Sequence, residues 1–434
     1  MRLPVQNMLS SAPAVQLAES AGVPKVRRSN FTSITMTLSV LMLVLGLALA
    51  AAGENQAKAQ EKTSGTRAAP KTRVPDPPEV NVQSWTLTDQ DSGLYLTGKN
   101  ADEQHPIAST TKIMTALVAL EEGFDPDAQV TVSKKAESYV GNTYSNVGLI
   151  AGERLTVRDL LKASLIPSGT DAVYALAEYL GDGNVDSFVD KMNARAASMG
   201  LENTHFETPA GLDTTENYST ARDLAKIARE AFKYPEFAEI VRTKDTTIST
   251  QNREIEIHNT NQLLTTYPKA TGVKTGTSPD AGANLVASAK DGDASYIGVI
   301  LDAEDDEERF RAAQRILEYA FNRYEHRPLV RQDEAYGEMP LPYRRGETAE
   351  LIAEEDVAGP VDANSEVERR VTTEDPPSSA EAGQRLGEVQ VFIDGQSIGS
   401  SPLVTREGYG EASVWDKAWY VVGSLFEWVR DLFG

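Results

Sequence analysis

Cysteine is absent from this chain of 434 residues. Disulfides, thiolate nucleophiles and cysteine-held metals are therefore excluded. Histidine is nearly absent: His105, His205, His258 and His326 lie far apart, without metal-ligand spacing. The scattered histidines argue against a Ser-His-Asp hydrolase. Positive charge is in deficit, with 42 Lys and Arg against 64 Asp and Glu and a net charge of −22. A nucleic-acid partner is not expected, because phosphates would be repelled. No metal and no cofactor are expected either.

Long apolar runs are scarce too. One extends from about Ile34 to Ala52, uncharged, behind the basic cluster Lys25, Arg27 and Arg28. The small-residue sites Ala50-Ala51-Ala52 and Ala57-Lys58-Ala59 follow it. These are the marks of an export signal, and the length nearly spans a bilayer. Residues 1–52 read as a signal peptide or a retained membrane anchor; both place the remainder outside the cytoplasm. Residues 53–79 lack apolar periodicity and read as a flexible linker.

What is present is organised around His105-Pro106-Ile107-Ala108-Ser109-Thr110-Thr111-Lys112. A helix starting at Ser109 stacks Ser109 and Lys112 on one face. A buried lysine loses basicity and can take the proton of a neighbouring serine. Free N–H groups at the helix start suit a developing oxyanion. The bland alternative makes Ser109 a helix cap and Lys112 a solvated side chain. Two further elements weigh against it: Ser168-Gly169-Thr170 in a turn between two helices, and Lys274-Thr275-Gly276 leading into Thr277. For Ser168 and Thr170 a plain capping role is the competing reading.

The order S-x-x-K, then S-x-N-like, then K-T-G is that of the penicillin-binding proteins. From about Val80 to Arg327 the chain resembles the low-molecular-mass members, the D-alanyl-D-alanine carboxypeptidases. The phrases around Asn203-Thr204-His205-Phe206, Gly211-Leu212-Asp213 and Asn259-Thr260-Asn261 are similar to that family's text and read as scaffold. The resemblance implies an α/β (α+β) fold: an antiparallel sheet flanked by helices, a helical subdomain and a small C-terminal β-rich domain. It implies Ser109 as nucleophile, Lys112 as base and Ser168 as a proton relay. Lys274 would organise the Ser168 side, Thr275 would bind the substrate's C-terminal carboxylate, and Thr277 and Ser109 N–H groups would form the oxyanion hole. Gly276 is read as letting a substrate backbone approach its strand. The implied substrate is the peptidoglycan pentapeptide, with β-lactams as inhibitors. Two positions depart from the pattern. Thr170 stands where the family has asparagine, and Ser295 where an arginine supporting carboxylate binding is expected. These departures keep a non-catalytic penicillin-binding module as a rival reading, with a β-lactamase as a third.

Residues 80–327 thus read as the peptidase domain and 328–410 as a β-rich domain. Acidic, Pro- and Ser-punctuated sequence between Glu347 and Glu381 reads as a disordered insertion there, while Val389 to Gly399 reads as a hairpin turning at Asp394-Gly395. Residues 411–434 put Trp415, Ala418, Trp419, Val422, Phe426, Val429 and Phe433 on one helical face. Charges interrupt that face too often for a transmembrane span, so a membrane-surface anchor is expected, against packing on the β-domain.

Overall fold

The computed structural model describes residues 76–433 apart from 124, 141 and 142, together with the strand Lys62–Thr63. The apolar run at 34–52 and most of the linker lie outside the described residues.

Five antiparallel strands form the central sheet: β1 (Val82–Asp89), β2 (Tyr95–Lys99), β3 (Ala270–Ser278), β4 (Gly282–Asp291) and β5 (Ala294–Ala303). Their order is β3-β4-β5-β1-β2. Alternation along β5 shows why its apolar run is continuous. Ile297, Val299 and Leu301 enter the core on the helical side, while Tyr296 and Ile300 enter a second core on the opposite face. A strand covered on both faces has no polar side to show.

The helical side holds α1 (Lys112–Glu121), α2 (Val157–Leu165), α3 (Thr170–Leu180) and α4 (Ala221–Phe232). In α4, Leu224, Ile227, Ala228 and Ala231 recur at helical spacing and are buried. Its start is fixed by Thr220, whose side chain accepts from Asp223 N. The opposite face is covered by α5 (Asp306–Arg323), capped by Asp305 and opened by Asp306, Glu307 and Glu308, which suit the positive helix end. Gly298 on β5 admits Ile316: a Cβ there would lie 2.9 Å from Ile316 Cδ1. Truncating the fully buried Ile316 to alanine would cost about 2–5 kcal/mol.

The acidic stretch proves to be sheet rather than a disordered insertion. Thr348–Ala353, Val357–Val361 and Val367–Thr373 run through it as strands. Its charges occupy outward positions: Ala349, Leu351 and Ala353 are buried while Glu350 between them is exposed and pairs with Arg406. Glu368 likewise pairs with Arg370. Composition concealed an alternation of period two. Arg385–Ile393 and Gln396–Thr405 form the expected hairpin about Asp394 and Gly395. Leu94, from the turn between β1 and β2, joins the core of this β-rich region beside Leu329, Leu351 and Val391.

The last helix, α6, spans Val414–Phe433. No helix among the described residues is long and apolar enough to cross a membrane. Trp415 and Trp419 are 76% and 71% exposed. Tyr420 faces the other way and meets the Tyr343 ring edge-on at 5.6 Å.

Candidate active site

Pro106 and Ile107 lead into a short 3₁₀ turn, Ala108–Thr111, and α1 begins only at Lys112. Ser109 therefore lies in the tight turn before the helix, not in its first α-turn. The entry is strained: Ala108 holds φ +45°. The three-residue spacing still brings the side chains together, with Lys112 Nζ 2.7 Å from Ser109 Oγ. Lys112 is fully buried, and that burial pushes its pKa down to about 7 against a smaller opposing pull from Asp171. Its amine also donates to Ala210 O at 3.0 Å. Read as plain scaffold in the sequence, the segment around Ala210 thus supplies a contact to the Lys112 amine. It is held close: Thr115 Oγ1 donates to Pro209 O at 2.6 Å, and Asn217 Nδ2 to Thr111 Oγ1 at 3.1 Å. At Gly211, with φ +74°, any Cβ would fall 1.9 Å from Ala108 O. Only glycine fits there.

Ser168 occupies the turn between α2 and α3, as expected. Its φ is +68°, and its Oγ is buried without a hydrogen-bond partner among the described residues. Neither Ser168 nor Thr170 caps α3, because Gly169 is the N-cap and Thr170 the first helical residue. Thr170 is buried and gives its N–H to Ser145 O at 2.8 Å. The buried Asp171 carboxylate next to it accepts from Leu149 N at 2.9 Å and Val147 N at 3.1 Å. It thereby pins the segment 145–149 beside the turn.

The third element lies on β3. Lys274 is buried and donates to Thr275 O at 2.9 Å. Burial first, then the nearby Lys112 and Arg309 charges, hold its pKa well below the ordinary lysine value. The space beside Gly276 is taken by the chain itself. A Cβ there would lie 2.8 Å from Ile107 O, 3.0 Å from Thr110 N and 3.1 Å from Ser109 N. Its role in this structure is to let β3 lie directly against the Ser109 turn.

The arginine sought just before β5 is found elsewhere. Ser295 hydrogen-bonds Asp91 at 2.9 Å, away from the cleft. Arg309, in the first turn of α5, is 4% exposed and donates to Thr277 Oγ1 at 2.6 Å and to Gly276 O at 3.3 Å. Among the described residues its carboxylate partner is Asp306 at 3.0 Å. An arginine directly after the acidic run Asp305-Asp306-Glu307-Glu308 was the signal available in the sequence.

Three groups able to carry positive charge, Lys112, Lys274 and Arg309, thus lie close together beside the Ser109 hydroxyl in a chain of net charge −22. Such a site attracts an anionic ligand and offers a serine beside an uncharged amine.

A sequence model of the D-alanyl-D-alanine carboxypeptidase family matches residues 71–305. A model of the penicillin-binding protein 5 C-terminal domain matches residues 324–411. The D-alanyl-D-alanine carboxypeptidase DacF of Bacillus subtilis is 33% identical over 76% of this chain and 86% of its own length. That of Streptomyces sp. strain K15 is 40% identical over 58% of this chain and 91% of its own. The crystal structure of penicillin-binding protein 5 from Haemophilus influenzae aligns with a TM-score of 0.66 at 31% identity, covering 77% of this chain and 99% of that one.

Proposed function

The chain belongs to the D-alanyl-D-alanine carboxypeptidase family, and we propose that it cleaves the terminal D-Ala–D-Ala amide of peptidoglycan stem peptides through an acyl-enzyme on Ser109. It is a serine-type D-Ala-D-Ala carboxypeptidase of mixed α/β fold acting on cell-wall peptides. The observation that carries the residue assignment is the 2.7 Å contact between Ser109 Oγ and an amine whose pKa is about 7.

With Lys112 uncharged, the Ser109 hydroxyl donates to its lone pair while an amine N–H stays on Ala210 O. Ser109 Oγ attacks the amide carbon and Lys112 takes the proton. Negative charge on the carbonyl oxygen falls to the Ser109 and Thr277 N–H groups; the close packing of Gly276 on the Ser109 N–H supports this pairing. The C–N bond breaks as the proton passes by way of Ser168 to the leaving amine. D-alanine departs, and water then hydrolyses the ester with Lys112 again accepting a proton. Thr275 and Lys274 hold the terminal carboxylate, Arg309 steadies Thr277 beside it, and Thr170 lines the opposite wall. A penicillin, which also carries a carboxylate, acylates Ser109 in the same way.

The matched regions support a peptidase domain at 80–327 and a β-rich domain at 328–410. Residues 411–434 lie on a membrane surface, outside the cytoplasm, by the exposed Trp415 and Trp419. Deleting 413–434 then releases the protein from the membrane fraction if residues 1–52 are cleaved. The activity is tested by D-alanine release from a D-Ala-D-Ala peptide. Release by the parent and none by Ser109→Ala is expected. Equal release by both would sink the assignment of Ser109, and a penicillin adduct without release would favour the binding module.

A further inference from the structure

Beside the Ser168 turn, the segment Asn259-Thr260-Asn261 meets β3 at the residue assigned to the substrate carboxylate. Thr260 Oγ1 lies 2.6 Å from Thr275 Oγ1, and either oxygen can be the donor. We propose that Thr260 is a positioning residue for the terminal carboxylate: its hydroxyl donates to Thr275 Oγ1 and so turns the Thr275 proton toward the substrate. This rests on the reading of Thr275 given above.

The geometry makes the direction of that bond a consequence of binding. A threonine hydroxyl has one hydrogen and two lone pairs. When Thr275 gives its hydrogen to an anionic carboxylate, its oxygen has acceptor capacity left facing Thr260. Thr260 then donates, and the two bonds polarise one another. Without that second hydroxyl the Thr275 proton has no reason to prefer the cleft. Its side chain is otherwise well placed, since Lys274 Nζ anchors the Thr275 carbonyl at 2.9 Å.

Thr260 is itself held firmly enough to serve. Its N–H donates to Ile166 O at 3.2 Å, at the end of α2. It therefore ties the Ser168 turn to β3. Asn259 fixes one flank, with Nδ2 on Thr243 O at 2.8 Å and Oδ1 accepting from Asn261 N at 2.9 Å. Asn261 fixes the other, its Oδ1 accepting from Leu263 N at 3.2 Å. Thr260 is only partly buried, so a ligand can reach the hydroxyl pair. The sequence resemblance alone gave this segment no role beyond scaffold.

The test compares a D-Ala-D-Ala peptide with the same peptide carrying a C-terminal amide. Parent, Thr260→Val and Thr260→Ser are assayed for kcat and KM on both. Valine keeps the shape and removes the hydroxyl. The expected result is a KM for the carboxylate peptide raised about tenfold, with kcat changed less than threefold. The carboxylate-to-amide preference in kcat/KM falls by the same factor, and serine restores both to within about twofold of the parent. A valine variant that keeps the full preference overturns the proposal while leaving the peptidase reading intact. So does one that loses kcat equally on both peptides, since that is loop damage rather than carboxylate positioning. A parent enzyme that cleaves both peptides equally overturns the Thr275 assignment, and Thr260 falls with it.

Discussion

The cleft and the β-rich region bury their residues on opposite terms. Around Ser109 the chain buries Lys112, Asp171, Lys274 and Arg309, whereas among the buried residues from 331 to 411 the polar ones are Ser401 and Thr405. Desolvating an ionisable group opposes folding, whereas burying Leu351 or Val391 favours it. The cleft therefore holds its charges at a cost in stability, and the rest of the fold must supply that stability. The comparison implies that stability and activity respond in opposite directions to substitution in the two regions.

The sharpest break comes at Lys112. Replacing it with methionine removes the base, and kcat/KM should fall by roughly 10³-fold or more. Folding should gain. The folded-state pKa is about 7, below the 10.5 of an unperturbed lysine. Between those values the unfolded chain binds the extra proton, so stability climbs as pH rises from about 7 to 10.5 and the full penalty is felt below 7. Denaturation at pH 6 should show Lys112→Met more stable than the parent by about 3–5 kcal/mol. A destabilised variant would mean that the site does not bury its charge at a cost.

Arg309 comes next. Its guanidinium braces Thr277 and Gly276 from α5, so Arg309→Leu should lower kcat/KM about 10²-fold, with Arg309→Lys recovering little of it. Full recovery by lysine would reduce the contact to charge alone. Thr170→Asn works in the other direction. An amide offers both a donor and an acceptor where threonine has one hydroxyl, and one added buried hydrogen bond in the transition state is worth about five- to 150-fold. Steady-state kinetics on a D-Ala-D-Ala peptide should show that gain; an unchanged rate would mean that the cleft is already organised around threonine. The smallest effect on activity belongs to the β-rich core. Leu351→Ala should cost about 2–5 kcal/mol of stability yet leave kcat/KM per folded molecule within about twofold. A larger change there would show that the two regions are coupled.

The parts of this account legible in the sequence were those with short spacing or strict period. Ser109 and Lys112 are three residues apart, and the hairpin from Val389 to Gly399 shows its turn at Asp394-Gly395. Local pattern was silent about contacts made by distant segments. Ala210 reaches Lys112 across 98 residues, and Thr260 meets Thr275 only because the segment before β3 folds back over it. Arg309 was not legible as a site residue because only the helix after β5 carries its guanidinium back to β3. The acidic stretch misled for a related reason. Charge dominated its composition, but in the strand Thr348–Ala353 every second residue, Ala349, Leu351 and Ala353, points inward.

The central claim is that a buried, uncharged Lys112 activates Ser109. Stopped-flow measurement of fluorescent-penicillin acylation between pH 5 and 9 tests it most directly, with the adduct located by peptide mass mapping. The account predicts a rate that rises with pH to a plateau, half-maximal near pH 7 as Lys112 loses its proton, with all label on Ser109 and none in Lys112→Arg. A rate flat across that range, or acylation that survives in the arginine variant, would contradict it.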